Sequence, residues 1–230
     1  PIEANTPPHF DVMDERTAAE LMQVARDRVL NQGMDDPELG KALDVISQYV
    51  QEDQFNTLLQ RISSERSRLS MLIGDGEEPL REAVARIYDA VGADPALGEA
   101  DVIAAACEDG AFDKAGLAAA IQVLRDLGTP KNDGAAADRI ERWINADAAG
   151  RQAMLDDYRL VYFTAGGGPR ANLAGKKVRE ERPDIDALLG RELDRLQEID
   201  ASVARQVTAA CSAALLTLGT AILAQYQRAK

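Results

Sequence analysis

From residue 183 to residue 230 the apolar side chains Ile185, Leu189, Leu193, Leu196, Ile199, Val203, Val207, Cys211, Leu215, Leu218, Ile222 and Tyr226 recur every three or four positions. Steps averaging about 3.7 are the period of a helix face, and no strand holds them. Unbroken, such a helix reaches roughly 70 Å at about 1.5 Å per residue, longer than a small domain is wide. The rest of the chain is then a set of shorter helices packed along a rod, or two bodies that the rod joins. Gly190 and Gly219 are the positions where it would kink or divide.

The preceding segments also read as helices. Residues 1–13 form a Pro-rich extended lead-in, and Asp14 offers an N-cap for a helix to about Gln32, closed by Gly33, with Leu21, Val24, Ala25 and Val29 on one face. Asp36-Pro37 is a cap followed by proline at the first helical position, opening a helix to Val50 that turns Leu39, Leu43, Ile46 and Val50 inward. Phe55, Leu58, Leu59 and Ile62 stripe a third helix, expected to run on through 61–72 until Gly74-Asp75-Gly76 breaks it. Further helices are expected at 77–91, 100–107 and 113–127. After the turn-rich Thr129-Pro130-Lys131-Asn132-Asp133-Gly134 come one bearing Ile140, Trp143 and Ile144 and one over 147–163.

Only 4% of the residues are aromatic, while Ala and Leu abound. That favours helix packing over strands. The expected fold class is all-α: a multi-helix bundle with a long C-terminal helix and no substantial sheet. Its organisation is a lead-in (1–13), a helical body (14–163), a Gly/Pro-containing basic loop (164–182) and the long helix (183–230). Trp143 is expected in the core. Cys107 and Cys211 lie in apolar helical patterns without metal-ligand spacing, as buried thiols of a reducing compartment would.

The net charge of −13 argues against a surface that is basic all round. No run approaches the ~20 apolar residues of a membrane span, so no membrane contact and a cytoplasmic, bacterial location are expected. The chain opens on Pro1 and ends inside a helical pattern, which reads as a piece of a longer protein.

Against this acidic background, residues 170–182 carry Arg170, Lys176, Lys177, Arg179 and Arg182 against Glu180 and Glu181, a net +3. Without that segment the chain's 26 bases and 39 acids become 21 and 37, or −16. Bases beside Gly166-Gly167-Gly168-Pro169 suit phosphate contact without base readout, since glycines expose backbone N–H groups. Gly175-Lys176 does not complete a G-x-x-x-x-G-K-[ST] phosphate loop, because Arg170 stands at the first glycine and Lys177 at the Ser/Thr. His9, the sole histidine, cannot build a His-based zinc site or triad. Asp35-Asp36 and Asp156-Asp157 read as caps or solvated surface. No catalytic, cofactor or metal residues are assigned to the chain, which is expected not to be an enzyme by itself.

Several segments together resemble AddA, the helicase-nuclease subunit of bacterial AddAB recombination-repair enzymes, within the UvrD-like superfamily 1 helicases. Residues 8–21 resemble the segment leaving that family's first motor domain, and residues 53–59 and 62–69 its next helix. Tyr162-Phe163-Thr164-Ala165, Pro169-Arg170 and Leu173-Ala174-Gly175-Lys176-Lys177-Val178 resemble its loop of the form F-T-x-x-G-x-P-R-x-x-L-x-x-K-K-V. Residues 224–230 are similar to the helix returning to the motor, just before a D-F-D-D-L element that this chain does not reach. The likeness spans nearly the whole chain and is loosest over 92–135.

The resemblance implies a helical insertion of the 1B type, lying beside the DNA path of a parent that uses ATP and Mg as helicase and exonuclease in DNA repair and recombination. It implies an AddB-type partner subunit as well. The expected DNA-binding residues are Arg170, Lys176, Lys177 and Arg179, with Lys131 more remote, touching the phosphate backbone without sequence preference. The alternative is a scaffold whose acidic helices dock the partner subunit while the basic loop stays incidental.

Overall fold

The computed structural model describes residues 15–65, 68 and 77–229. The lead-in, the Asp14 cap, His9 and the break expected at Gly74–Gly76 lie outside the described residues. In order, the helices are α1 (Glu15–Gln32), α2 (Pro37–Tyr49), α3 (Glu52–Ser64), α4 (Glu77–Val91), α5 (Glu99–Ala106), α6 (Lys114–Leu127), a π-helical turn (Pro130–Gly134), α7 (Ala135–Asn145), α8 (Ala148–Arg159), α9 (Lys176–Glu181) and α10 (Pro183–Arg228). The chain is an all-α, multi-helix bundle with a long C-terminal helix. Among the described residues there is no sheet, only an isolated antiparallel bridge between Phe163 and Pro169.

The local signals act where they stand. Asp36 caps α2 by accepting from the N–H groups of Glu38 and Leu39 at 2.9 and 3.2 Å, with Pro37 behind it. Asp113 and Asp147 do the same for α6 and α8, each accepting from a glycine N–H three residues on. α10 runs 46 residues without a break, so neither Gly190 nor Gly219 divides it. At Gly219 an added Cβ would lie 2.8 Å from Ile62 Cγ2, so the bare backbone there admits a neighbouring side chain.

The contacts divide the chain into two compact units, Pro1–Ala93 with Thr208–Lys230, and Asp94–Val207. The core of the first combines Ala25 and Val29 of α1, Leu39, Ala42 and Ile46 of α2, Phe55 of α3, and Ala214, Leu218, Ile222 and Tyr226 of α10. Val24, expected on the buried face of α1, is 48% exposed. The Leu21-Ala25-Val29 row carries the contact, and Val24 falls off its solvent side.

The C-terminal half of α10 corrects the hydropathy expectation. It contains an 18-residue window of mean hydropathy 1.9, long and apolar enough by length and composition to cross a membrane. No uninterrupted apolar run reveals this, because Thr, Ser and Gly separate the large side chains without adding a charge between Arg205 and Arg228. A third of the window is buried, and Leu218 and Ile222 pack in the first unit's core.

The second unit is built on aromatic and guanidinium groups. Trp143 stacks on Tyr158 with ring centroids 4.1 Å apart, and Tyr158 meets Tyr162 edge-on at 5.4 Å. Tyr158 donates to Glu192 Oε1 at 2.8 Å, and Arg195 closes the cluster with bonds of 2.8 and 2.7 Å to the same carboxylate. Buried Gln206 pins the 94–97 turn to α10, accepting from Asp94 N–H and donating to the Asp94 and Leu97 carbonyls.

Burial, reinforced by the Glu192 charge, pushes the phenols of Tyr158 and Tyr162 well above their usual range. The folded state therefore holds these protons more tightly than the unfolded chain. Their contribution to stability is complete below about pH 10 and is lost as pH rises beyond it, by about 1.4 kcal/mol per pH unit for each tyrosine. Tyr162→Phe should flatten that alkaline decline by one tyrosine's share, as read from urea midpoints between pH 9 and 11.

Candidate functional site

The sequence Thr129-Pro130-Lys131-Asn132-Asp133-Gly134 makes a turn whose centre is a buried carboxylate, Asp133, only 3% exposed. Its Oδ2 accepts from Thr129 N–H at 2.6 Å and from Thr129 Oγ1 at 2.9 Å, while Oδ1 accepts from Gly175 N–H at 2.7 Å. One side chain thus closes the turn and ties it to a segment 42 positions later. Gly175 is required for this closeness: a Cβ there would lie 2.8 Å from Asp133 Oδ2.

The opposite wall comes from the hairpin after α8. α8 stops at Arg159, earlier than the expected end at 163, because the next N–H groups bond three residues back and the chain then turns. Thr164 N–H donates to Gly168 O at 2.8 Å, Gly167 takes φ +82°, and Arg170 N–H returns to Tyr162 O at 2.8 Å. Positive φ at the tip is what the glycine run supplies. Arg170 Nε donates to the carbonyls of Leu160 and Phe163, which fixes the stem of the guanidinium. Among the described residues its two terminal nitrogens have no partner.

Between these walls lies a cleft of roughly 390 Å³ whose polar rim is Lys131, Asn132, Arg139, Arg170 and Asn172. Arg139 is bonded to Asp157 at 3.1 Å, a carboxylate that Arg142 shares at 2.8 Å. Asp157, expected as solvated surface, therefore joins two arginines. The acid lining the cleft, Asp133, spends both oxygens on its own walls. Positive charge is what the cleft offers to a ligand.

The structure brings together Lys131 and Arg170, and it separates them from the other expected binders. Lys176, Lys177 and Arg179 do not line the cleft. Lys176 sits 3.6 Å from Glu180 one helical turn on, with both side chains largely exposed, a pairing worth little in water. Lys177 is exposed and unpaired among the described residues. Arg179 is half-buried, donating from Nε to Ala174 O. The segment 164–182 is not loop throughout, since 176–181 are helical and seat Val178 in the core. Arg182 is held by Asp184, whose carboxyl the bond keeps below the usual range.

Asn132, Asn172, Asp133 and Arg139 are the cleft residues that sequence reasoning passed over. The turn-rich stretch around Asp133 was the available signal, but not its partner at Gly175. Among the described residues no group of three or more His, Cys, Asp or Glu side chains could hold a metal ion. No protein-family model, curated protein or solved structure matches the chain.

Proposed function

We propose that this chain is a helical accessory domain of the 1B type from an AddA-like helicase-nuclease, and that it contacts DNA phosphates through the cleft of its second unit. The observation that carries the reading is the meeting of Lys131 and Arg170 in one concave site, with their cationic ends unspent. Phosphate oxygens suit such a pair: Arg170 offers two terminal nitrogens from a stem that is already ordered, and Lys131 adds a point charge. The likeness of 162–178 to the AddA loop supports the same reading, with ATP, Mg and the AddB-type partner belonging to the parent enzyme.

The test is a salt series of DNA binding by fluorescence anisotropy. Two phosphate contacts, from Lys131 and Arg170, contribute about −1.8 to the slope of log affinity against log salt on duplex and about −1.4 on a single strand, and Lys131→Ala with Arg170→Gln should remove that contribution. Lys176→Ala with Lys177→Ala tests the loop as first expected. A slope that neither pair changes would leave the scaffold reading, in which the acidic helices dock a partner subunit.

A further inference from the structure

Resting on the reading of the cleft as a phosphate site, we infer that it seats one unpaired nucleotide, so that its substrate class is single-stranded rather than double-stranded DNA. The first ground is shape. The phosphates of a duplex lie on its outside with the bases stacked within, so a duplex offers a convex charged ridge. This site is a hollow of roughly 390 Å³, within the size range of small-molecule sites. A single nucleotide can enter a hollow of that kind.

The second ground is chemistry beyond charge. Leu160, a large apolar side chain left 39% exposed, forms part of the wall beside Arg170. An exposed apolar surface next to a cation matches a base face next to its phosphate; single-strand binders combine a basic groove with aromatic platforms, and here an aliphatic side chain stands in the platform's place. Asn132 and Asn172 also line the site, and among the described residues their side-chain amides make no hydrogen bond. An amide carries both donor and acceptor, the pairing that base edges present. Phosphate alone would use the cations and the amide N–H₂ donors, and leave the leucine and the amide acceptors without a role. With no aromatic side chain in the lining to stack on a base, the affinity per nucleotide should be modest.

The test compares four probes on the 230-residue chain at fixed salt: a labelled 20-nucleotide strand, its blunt duplex, a strand of the same length made of abasic units, and unlabelled dAMP as competitor. The strand should bind at least tenfold more tightly than the duplex or the abasic strand. Leu160→Ala with Asn172→Ala should lower strand affinity five- to tenfold, several times more than it lowers affinity for the duplex or the abasic strand, and leave the circular dichroism spectrum intact. Equal affinity for the normal and abasic strands would overturn the nucleotide seat and leave the phosphate reading standing. Complete displacement of the strand by millimolar dAMP would also overturn it, by assigning the cleft to a free nucleotide. Binding of every probe unaffected by Lys131→Ala with Arg170→Gln would instead overturn the phosphate reading itself.

Discussion

Replacing Arg151 by alanine should destabilise the second unit by about 3–5 kcal/mol, because two buried carbonyls lose their donors and a large volume empties. Arg151 is 1% exposed, on the inner face of α8. Its Nε donates to Trp143 O at 3.1 Å and its Nη1 to Cys107 O at 2.7 Å, while Nη2 reaches Asp109. The guanidinium also lies over the Phe112 ring, 4.9 Å from its centre. It joins the end of α5, the end of α7 and the body of α8, and no shorter side chain spans the three. That bond holds the Asp109 carboxyl below its usual range. Arg151→Met separates the causes, since it keeps most of the volume and none of the donors. Loss of most of the stability in the methionine variant assigns it to the hydrogen bonds. Trp143, the sole tryptophan, lies in the same core, so its fluorescence in urea reports on this unit.

The second large effect is expected at Asp133, where stability and binding should fall together. Both carboxylate oxygens accept, from three donors in all, and asparagine has only one oxygen to offer. Asp133→Asn therefore turns an amide N–H₂ toward a partly buried N–H on one side. About 1–2 kcal/mol of stability should be lost, the cost of leaving one or two partly buried donors unmatched. The turn that presents Lys131 would also lose its tie to the Gly175 segment, so DNA affinity should drop even where the protein remains folded. Asp126→Asn, at an exposed position on α6, is the matched control and should change neither urea midpoint nor affinity.

What could be read in the sequence was whatever is decided within about four residues. The Asp36 cap, the proline behind it and the period of α10 all arise from neighbours along the chain, and each has its expected form in the structure. Trp143 was legible for a different reason: its size alone favours burial. The cleft depends on pairings of another kind. In the cleft Asp133 meets Gly175, and in the core beside it Arg151 meets Cys107, each across more than forty positions, and nothing local distinguishes those two from the many solvated Asp and Arg around them. For the same reason Lys176 and Lys177 looked like the centre of the basic segment. The hairpin places Arg170 on the cleft that Lys131 also lines, and the short helix α9 carries the two lysines outside that lining. Two bodies joined by the long helix were among the expectations, but the boundary between them was hidden, because α10 keeps one period through it.

Lysine footprinting tests the central claim most directly, since it reads the proposed contact in the unaltered protein. Acetylation rates of Lys131, Lys177, Lys114 and Lys41, followed by mass spectrometry, should be compared without DNA and with saturating DNA. Lys131 should be strongly protected by DNA, while Lys41, exposed on α2 in the other unit, should react at an unchanged rate. If Lys131 is acetylated equally fast with and without bound DNA, the cleft is not where this protein meets DNA.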